Sequence, residues 1–129
     1  MANIAQFMQT GMLNWALITP GTIRRPLGLF CALTTDIPTS NSWTEVVDAG
    51  YSRGVPAFAA AAIVAGLGQS YSTGFMTFGP FASSHLIQGM VLVDDVGNEL
   101  FFAPLPSGRS VGPGDSLIIA GGAIKVTLV

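Results

Sequence analysis

The chain has 129 residues, of which 50% are hydrophobic and only 9% are charged, and its formal net charge is −2. This length corresponds to one domain, which buries roughly two-thirds of the surface that its unfolded chain exposes. Five basic and seven acidic residues, with no basic run, argue against binding driven by nucleic-acid phosphates.

The few charges are unevenly distributed along the chain. No Asp, Glu, Lys or Arg occurs before Arg24, and none occurs between Arg53 and Asp94. The surface of a freely soluble domain carries about 25–35% charged residues. Much of the exterior of this molecule is therefore poorly suited to face water. We expect another protein, or copies of the chain itself, to cover part of it.

The apolar content does not predict a membrane span or an exported protein. A spanning helix needs about 20 consecutive apolar residues, and the Ala-rich stretch at residues 57–67 is too short. Residues 1–17 lack the basic start of a secretory signal. Cys31 is the only cysteine, so no disulfide forms within the chain. With one His and one Cys, and no complete glycine-rich or EF-hand motif, we expect neither metal nor cofactor.

An N-terminal helix is predicted over residues 3–17, within an N-terminal helix and arm at residues 1–20 that ends at Pro20. Its apolar side chains recur at three- and four-residue steps, which is typical of one helical face. They are Ile4, Phe7, Met8, Met12 and Trp15. Because the opposite side carries no charge, we expect this helix to be enclosed between protein surfaces.

The remainder, residues 27–129, has the pattern of a β-rich body. Strands are predicted at residues 27–33, at 43–47 and at 55–58, where Pro56 limits the strand to a sheet edge. Residues 59–68 are ambiguous, since their alanines favour a helix while their place among strands favours a strand or irregular structure. We expect the second alternative.

Further strands are predicted at residues 75–78 and 86–93, the latter apolar on both faces and therefore buried on both sides. A tight turn at 94–98 leads to a strand at 99–105, followed by a loop at 106–115. Residues 116–120 and 123–129 complete the pattern, joined at Gly121-Gly122 by a hairpin turn or a bulge. About seven or eight strands and one helix predict a mainly β fold: a single-domain antiparallel β-sandwich or small barrel with an N-terminal α-helix.

No group of residues predicts catalysis. His85 follows Ser83 and Ser84, but nothing marks a nucleophile elbow around either serine, so we expect a strand-end histidine with ordinary hydrogen bonds. Glu45 and Asp48 are the nearest approach to the paired carboxylates of a glycosidase, and they are predicted to lie at a strand end and in a loop. The oxygen-rich residues 94–99 lack the ligand spacing of an EF-hand and predict a solvated hairpin turn.

Some residues instead point to contacts between subunits. In a chain with so few charges, Arg24, Arg25 and Arg53 are expected to pair bidentately with carboxylates across a subunit boundary; solvated loop positions are the alternative. Phe75 and Phe78 lack interleaved cations and are expected in the core or at an interface. The predicted contact residues are Ile4, Phe7, Met8, Met12, Trp15, Arg24, Arg25, Arg53, Phe75 and Phe78.

Five ordered segments resemble a family of small virion proteins of tailed bacteriophages, described as tail-fibre-like or decoration-like. They are MANIAQ at residues 1–6 with the helix through Trp15, LFCALTT at 29–35, TEVVDAGYSRGVPAF at 44–58, GMVLVDDVGNELFFAPL at 89–105, and VGPGDSLIIAGGAIKVTLV at 111–129. The resemblance implies a β-rich structural protein of the virion, assembled in the cytoplasm of the host bacterium. Residues 59–84 match least well.

The resemblance leaves the position on the particle open. A fibre shaft needs length and repeated segments, and this chain has no repeat. We therefore expect a capsid decoration or cement protein, a trimer that binds and stabilises the lattice of the major capsid protein. A tail, neck or fibre adaptor involved in host attachment is the alternative, and a carbohydrate-binding module is a third. The expected partners are the major capsid protein and copies of the chain, without nucleic acid or membrane.

Overall fold

The fold is antiparallel and mainly β. The structure is a computed structural model that describes residues 3–17 and 27–128. In chain order, its elements are β1 (Asn3–Ile4), α1 (Gln6–Leu17), β2 (Leu29–Thr34), β3 (Ala57–Phe58), β4 (Ala62–Val64), β5 (Leu67–Thr73), β6 (Met76–Phe78), β7 (His85–Asp94), β8 (Glu99–Val111), β9 (Leu117–Ile119) and β10 (Lys125–Leu128). The mainly β class predicted from the sequence is confirmed.

The strands form three antiparallel sheets. The largest has the order β1-β8-β7-β2. A second has the order β10-β5-β3, with β4 also paired to β5, and the third pairs β6 with β9. The long hairpin β7–β8 organises the first sheet, because Val91 pairs with Phe102 near its middle while β2 pairs along the other edge of β7.

One hydrophobic core joins the three sheets, as in a β-sandwich. Its buried members come from the large sheet, from β6 and β9, from the segment before β10, and from the connections between β2 and β3 and between β6 and β7. They are Cys31, Leu33, Val46, Met76, Phe78, Phe81, Ile87, Leu92, Val111, Ile119 and Ile124. The Cys31 thiol is enclosed by this core, and burial raises its pKa to about 12. Cys31 therefore contributes to packing as a small apolar side chain.

The N-terminal segment differs from its prediction at the first residues. Asn3 and Ile4 form a short strand against Phe102 and Phe101 of β8, so the helix begins at Gln6 instead of residue 3. Pairing with the sheet edge satisfies backbone groups that the first helical turn would leave without partners. The start of α1 is then fixed by Ser40, whose hydroxyl accepts a hydrogen bond from the Gln6 amide at 3.0 Å.

Residues 43–47 do not form the predicted strand. They approach the outer edge of β2 at one bridge, Thr34 to Glu45, and a second bridge joins Cys31 to Gly54. Between these bridges, the Tyr51 hydroxyl accepts a hydrogen bond from the Leu33 amide at 3.0 Å. The outer edge of β2 is thus covered by a loop, through two bridges and the Tyr51 hydroxyl. The apolar pattern had indicated a strand there.

Two predictions for the later chain are also wrong in detail. The loop predicted at 106–115 is strand as far as Val111, because the ladder with β7 resumes at Arg109 after an irregularity opposite Gln88. The Gly121-Gly122 pair is neither a hairpin nor a bulge. It joins β9, which pairs with β6, to β10, which pairs with β5. The length of β8 and the connection at Gly121-Gly122 are both determined by pairing with strands that are distant in the chain.

Other predictions are confirmed. The edge strand before residue 59 is β3, the turn at 94–98 closes the β7–β8 hairpin, and residues 59–68 contain strand. The second half of β7 is buried on both faces, whereas Leu86 near its start is 47% exposed. In the described part of the chain, α1 is too short to cross a membrane.

Candidate assembly surfaces

The helix α1 presents exposed apolar side chains. Phe7 and Met12, both predicted contact residues, are exposed, and so are Leu13 and Leu17, which the sequence pattern did not single out. Ile4 and Met8 are half-buried. The helix carries neither acidic residues in its first turn nor basic residues in its last. This apolar surface therefore has no charged rim of its own.

A second apolar surface is the β4–β5 hairpin. Every residue from 59 to 66 is exposed, and none of them is polar. Ile63 is 76% exposed although it pairs with Gly68 in the ladder. Ala65 and Gly66 form the two-residue turn with positive φ angles of 51° and 81°, as in a type I′ hairpin. The hairpin thus presents an uncharged apolar tip to the exterior.

The predicted contacts Phe75 and Phe78 lie on opposite sides of the same strand region. Thr77 pairs with Ile118, so both point outward, and Phe75 two residues away shares their side. Phe75 is 73% exposed and Ile118 is 62% exposed. Phe78 is only 1% exposed, stacks on Tyr51 and belongs to the core. The prediction of Phe78 as a contact residue is therefore wrong. Residues three positions apart in a strand point to opposite faces, so Phe78 points into the core when Phe75 points outward.

Arg53 has its carboxylate partner within the chain. Its Nε donates to Glu45 Oε1 at 2.8 Å and its second guanidinium nitrogen donates to Glu45 Oε2 at 2.9 Å. The Tyr51 hydroxyl also donates to Glu45. These contacts, the Arg53 hydrogen bond first, lower the pKa of Glu45 below its ordinary value. The bidentate geometry was predicted, but its partner closes a loop of the same chain instead of a subunit boundary.

Asp48 connects the loop after residue 47 to the segment before β7. Its Oδ1 accepts hydrogen bonds from the amides of Gly50 and Ala82, at 2.7 and 2.9 Å. Its Oδ2 accepts from the amide and hydroxyl of Ser83, both at 3.0 Å, and lies 2.8 Å from His85 Nε2. These hydrogen bonds, the one from Ala82 first, hold the pKa of Asp48 well below its ordinary range.

The Asp48 cluster has the residue types of a hydrolytic triad without its geometry. Ser83 Oγ and Asp48 Oδ2 both contact the same ring nitrogen, Nε2 of His85, at 3.2 and 2.8 Å. In a Ser-His-Asp triad the serine and the carboxylate bind opposite nitrogens, so that the imidazole can transfer a proton between them. The prediction that His85 is a hydrogen-bonded strand-end histidine is confirmed, since it is the first residue of β7.

The carboxylates near the β7–β8 turn also have structural roles. Asp94 accepts from the amides of Val96 and Asn98 and from the Asn98 side chain. Glu99 is buried, and its Oε2 accepts from the Asn41 amide and the Trp43 indole. Within the described residues, no three acidic, histidine or cysteine groups lie together as metal ligands would. Asp94 therefore shapes the predicted hairpin turn.

The side chains of three predicted contact residues lie outside the part of the chain that the structure describes. Arg24 and Arg25 are not among the described residues, and the side chain of Trp15 is not described either. Leu13, Leu17, Ile63, Val64 and Ile118 are exposed apolar residues that were not predicted individually. For the first four, the signal that could have found them is the absence of charge before Arg24 and between Arg53 and Asp94. Ile118 lies outside these two segments.

The chain matches a known protein family. A family model described as the podophage GP4 fiber I protein gp80 matches residues 3–127, nearly the whole chain. No curated protein matches the chain. The matched family agrees with the resemblance seen in the sequence segments.

Proposed function

The chain belongs to the family of the podophage GP4 fiber I protein gp80 and is a structural protein of a phage virion, and we propose that it is a connector of the fibre apparatus. In this role it joins neighbouring virion proteins through its uncharged surfaces. The observation that carries the proposal is the pair of exposed apolar surfaces on α1 and on the β4–β5 hairpin. The family description supports the fibre location.

The fold supports a connector in preference to a shaft. Three small sheets share one core, and no segment repeats along the sequence. A shaft that trimerises along an axis is built from repeated segments. A unit of this kind instead suits a junction, where one protein contacts several neighbours.

The exposed apolar surfaces favour a closed oligomer, which we propose to be a homotrimer. Complete burial of one large apolar side chain contributes roughly 1.5–3 kcal/mol, and association costs about 4–15 kcal/mol. One or two such contacts therefore do not hold two subunits together. A closed symmetric ring buries several of these side chains in every subunit at once.

Capsid decoration is the second candidate. In this role the trimer would seat on the lattice of the major capsid protein and stabilise it. The observation that favours it is the single small domain without repeats, which suits a cap as well as a junction. The family description favours the fibre location.

Labelling of intact particles separates the two candidates. A gold-conjugated antibody against this chain is added to purified particles and imaged by electron microscopy. Label at the tail or at the fibre bases is the expected result. Label spread over the head would favour decoration instead. Particles that lack the chain by mass spectrometry would contradict both candidates.

A further inference from the structure

An apolar groove lies between the large sheet and the β9–β10 region. Its volume is about 390 Å³, which is within the range of about 300–1,000 Å³ typical of ligand pockets. Met90, Leu92 and Phe101 line it from the large sheet, and Ile119 and Ile124 line it from the opposite side. These five residues also belong to the core or pack against it. The groove is therefore a place where the core opens to the exterior.

The charged residues that line this groove are Arg109 and Lys125. Both are exposed. Among the described residues, neither has a carboxylate within ion-pair distance, whereas the third described cation, Arg53, is paired with Glu45. No acidic residue of the described chain lines the groove. An apolar channel with two unpaired cations suits an occupant that combines apolar side chains with a carboxylate.

The chain itself offers no good occupant. Its seven acidic residues all lie in the described part, and each accepts a hydrogen bond within the chain: Asp36, Glu45, Asp48, Asp94, Asp95, Glu99 and Asp115. The helix α1 carries no charge, and residues 18–26 contain two arginines and no acid. Charge complementarity therefore favours a different protein over a second copy.

The backbone around the groove favours a peptide. Strands β9 and β10 each have one ladder partner in the described chain, and both contribute lining residues. Strand β8 pairs with β1 only at Phe101 and Phe102, while its lining residues continue to Arg109. Edge strands present amide and carbonyl groups to which an extended peptide adds as a further strand.

From these observations we propose that the groove binds an extended segment of another virion protein, with apolar side chains in the channel and a carboxylate at Arg109 and Lys125. The proposal rests on the proposed function, because the partner is a protein of the same particle. Beyond that function, the inference specifies the partner's chemistry. The partner segment is extended, carries apolar side chains and an acidic residue, and fills the groove where the core opens to the exterior.

Photo-crosslinking in assembled particles tests the proposal. Benzoylphenylalanine is introduced in place of Ser107, an exposed residue that lines the groove, or in place of Ser52, an exposed residue that does not. Purified particles are irradiated and the adducts are located by mass spectrometry. We expect the probe at 107, and not the one at 52, to label an acidic, apolar segment of a different virion protein.

Two variants define the chemistry of the contact. In particles that carry Arg109→Gln and Lys125→Gln together, we expect the yield of that adduct to fall about two- to thirtyfold, because two exposed ion pairs are lost. Ala123→Trp keeps both cations and fills the groove, so it should abolish the adduct as well. Circular dichroism of the purified variants checks that they fold.

Other outcomes overturn the inference. An adduct to a second copy of this chain, to a basic segment or to the chain's own residues would exclude the acidic partner. Particles that contain the chain but give no adduct from position 107 would exclude a segment in the groove. If the chain is missing from purified particles, the proposed virion function fails instead, and the two failures are thereby distinguished.

Discussion

At the scale of single residues, strand geometry separates side chains that look equivalent in the sequence. Successive side chains of a strand point to opposite faces, so Phe75 and Phe78, three positions apart, cannot share one. The ladder of β6 with β9 turns Phe78 toward the core and Phe75 toward the exterior. The sequence pattern placed both in the core or at an interface and named both as contact residues.

This difference predicts contrasting effects of the same substitution. Phe78→Ala should lower the free energy of unfolding by about 3–5 kcal/mol, since it leaves a cavity in the core. Phe75→Ala should change it by less than about 0.5 kcal/mol, because its ring is 73% exposed. Urea denaturation followed by circular dichroism measures both. Equal losses in the two variants would contradict the assignment of Phe75 to the exterior.

Asp48 shows how one carboxylate can organise two loops. Its side chain is fully enclosed, with 0% exposure, and it bonds the turn at Gly50 to the backbone of Ala82 and Ser83. Gly50 is needed at this junction, because a Cβ atom there would lie 1.8 Å from the Pro80 carbonyl oxygen. The Asp48 carboxylate therefore stabilises the fold by joining its own loop to the segment before β7.

The lowered pKa of Asp48 predicts a loss of stability in acid. Because the folded-state pKa lies below the ordinary value of about 3.9, the stabilisation is fully present above pH 4 and is lost as the pH falls below it. We expect the denaturation midpoint of the wild type to exceed that of Asp48→Asn at pH 7, and the gap to narrow below pH 4.

The same measurement needs two controls. His85 contacts the same carboxylate oxygen, so the comparison is repeated in a His85→Gln background, which lacks the imidazole. Asp115→Asn serves as the matched control, because its carboxylate accepts a single hydrogen bond from the Gly112 amide. A gap between wild type and Asp48→Asn that stays constant from pH 7 to pH 3 would contradict the assigned role.

At the scale of elements, short strands and helix ends depended on partners far along the chain. The pattern at residues 3–17 predicted helix throughout, yet Asn3 and Ile4 form a strand because they pair with the edge of β8. The ambiguous residues 59–68 became a hairpin because β5 offers a ladder to β4. Apolar periodicity identifies such segments, while the available sheet edge decides their conformation.

The exposed apolar side chains of the β4–β5 hairpin are predicted to promote self-association of the chain. Replacement of Ile63 and Val64 by serine removes the two large apolar side chains that β4 exposes. We expect the self-association constant, measured by sedimentation velocity over a range of concentrations, to fall at least tenfold. The melting temperature at concentrations where the chain is monomeric should change little, because both side chains are exposed in the isolated subunit.

Val47→Ser is the matched control, since Val47 is 89% exposed and lies outside the hairpin. Its self-association should equal that of the wild type. A wild-type protein that remains monomeric at every concentration would contradict the proposed homotrimer. If the double variant associates as strongly as the wild type, the hairpin is not part of the interface.

At the scale of the whole molecule, the sequence by itself determined the class of the protein. Its strand pattern predicted the mainly β fold, the sparse charges predicted exposed apolar surface, and five ordered segments indicated a phage virion protein. These features are local or compositional, so they can be read without knowing which residues meet. Only the tertiary structure decided which strands pair, that Arg53 is already paired with Glu45, and that Arg109 and Lys125 line one open groove. The physical reason is that pairing and burial depend on residues far apart in the chain, which the fold alone brings together.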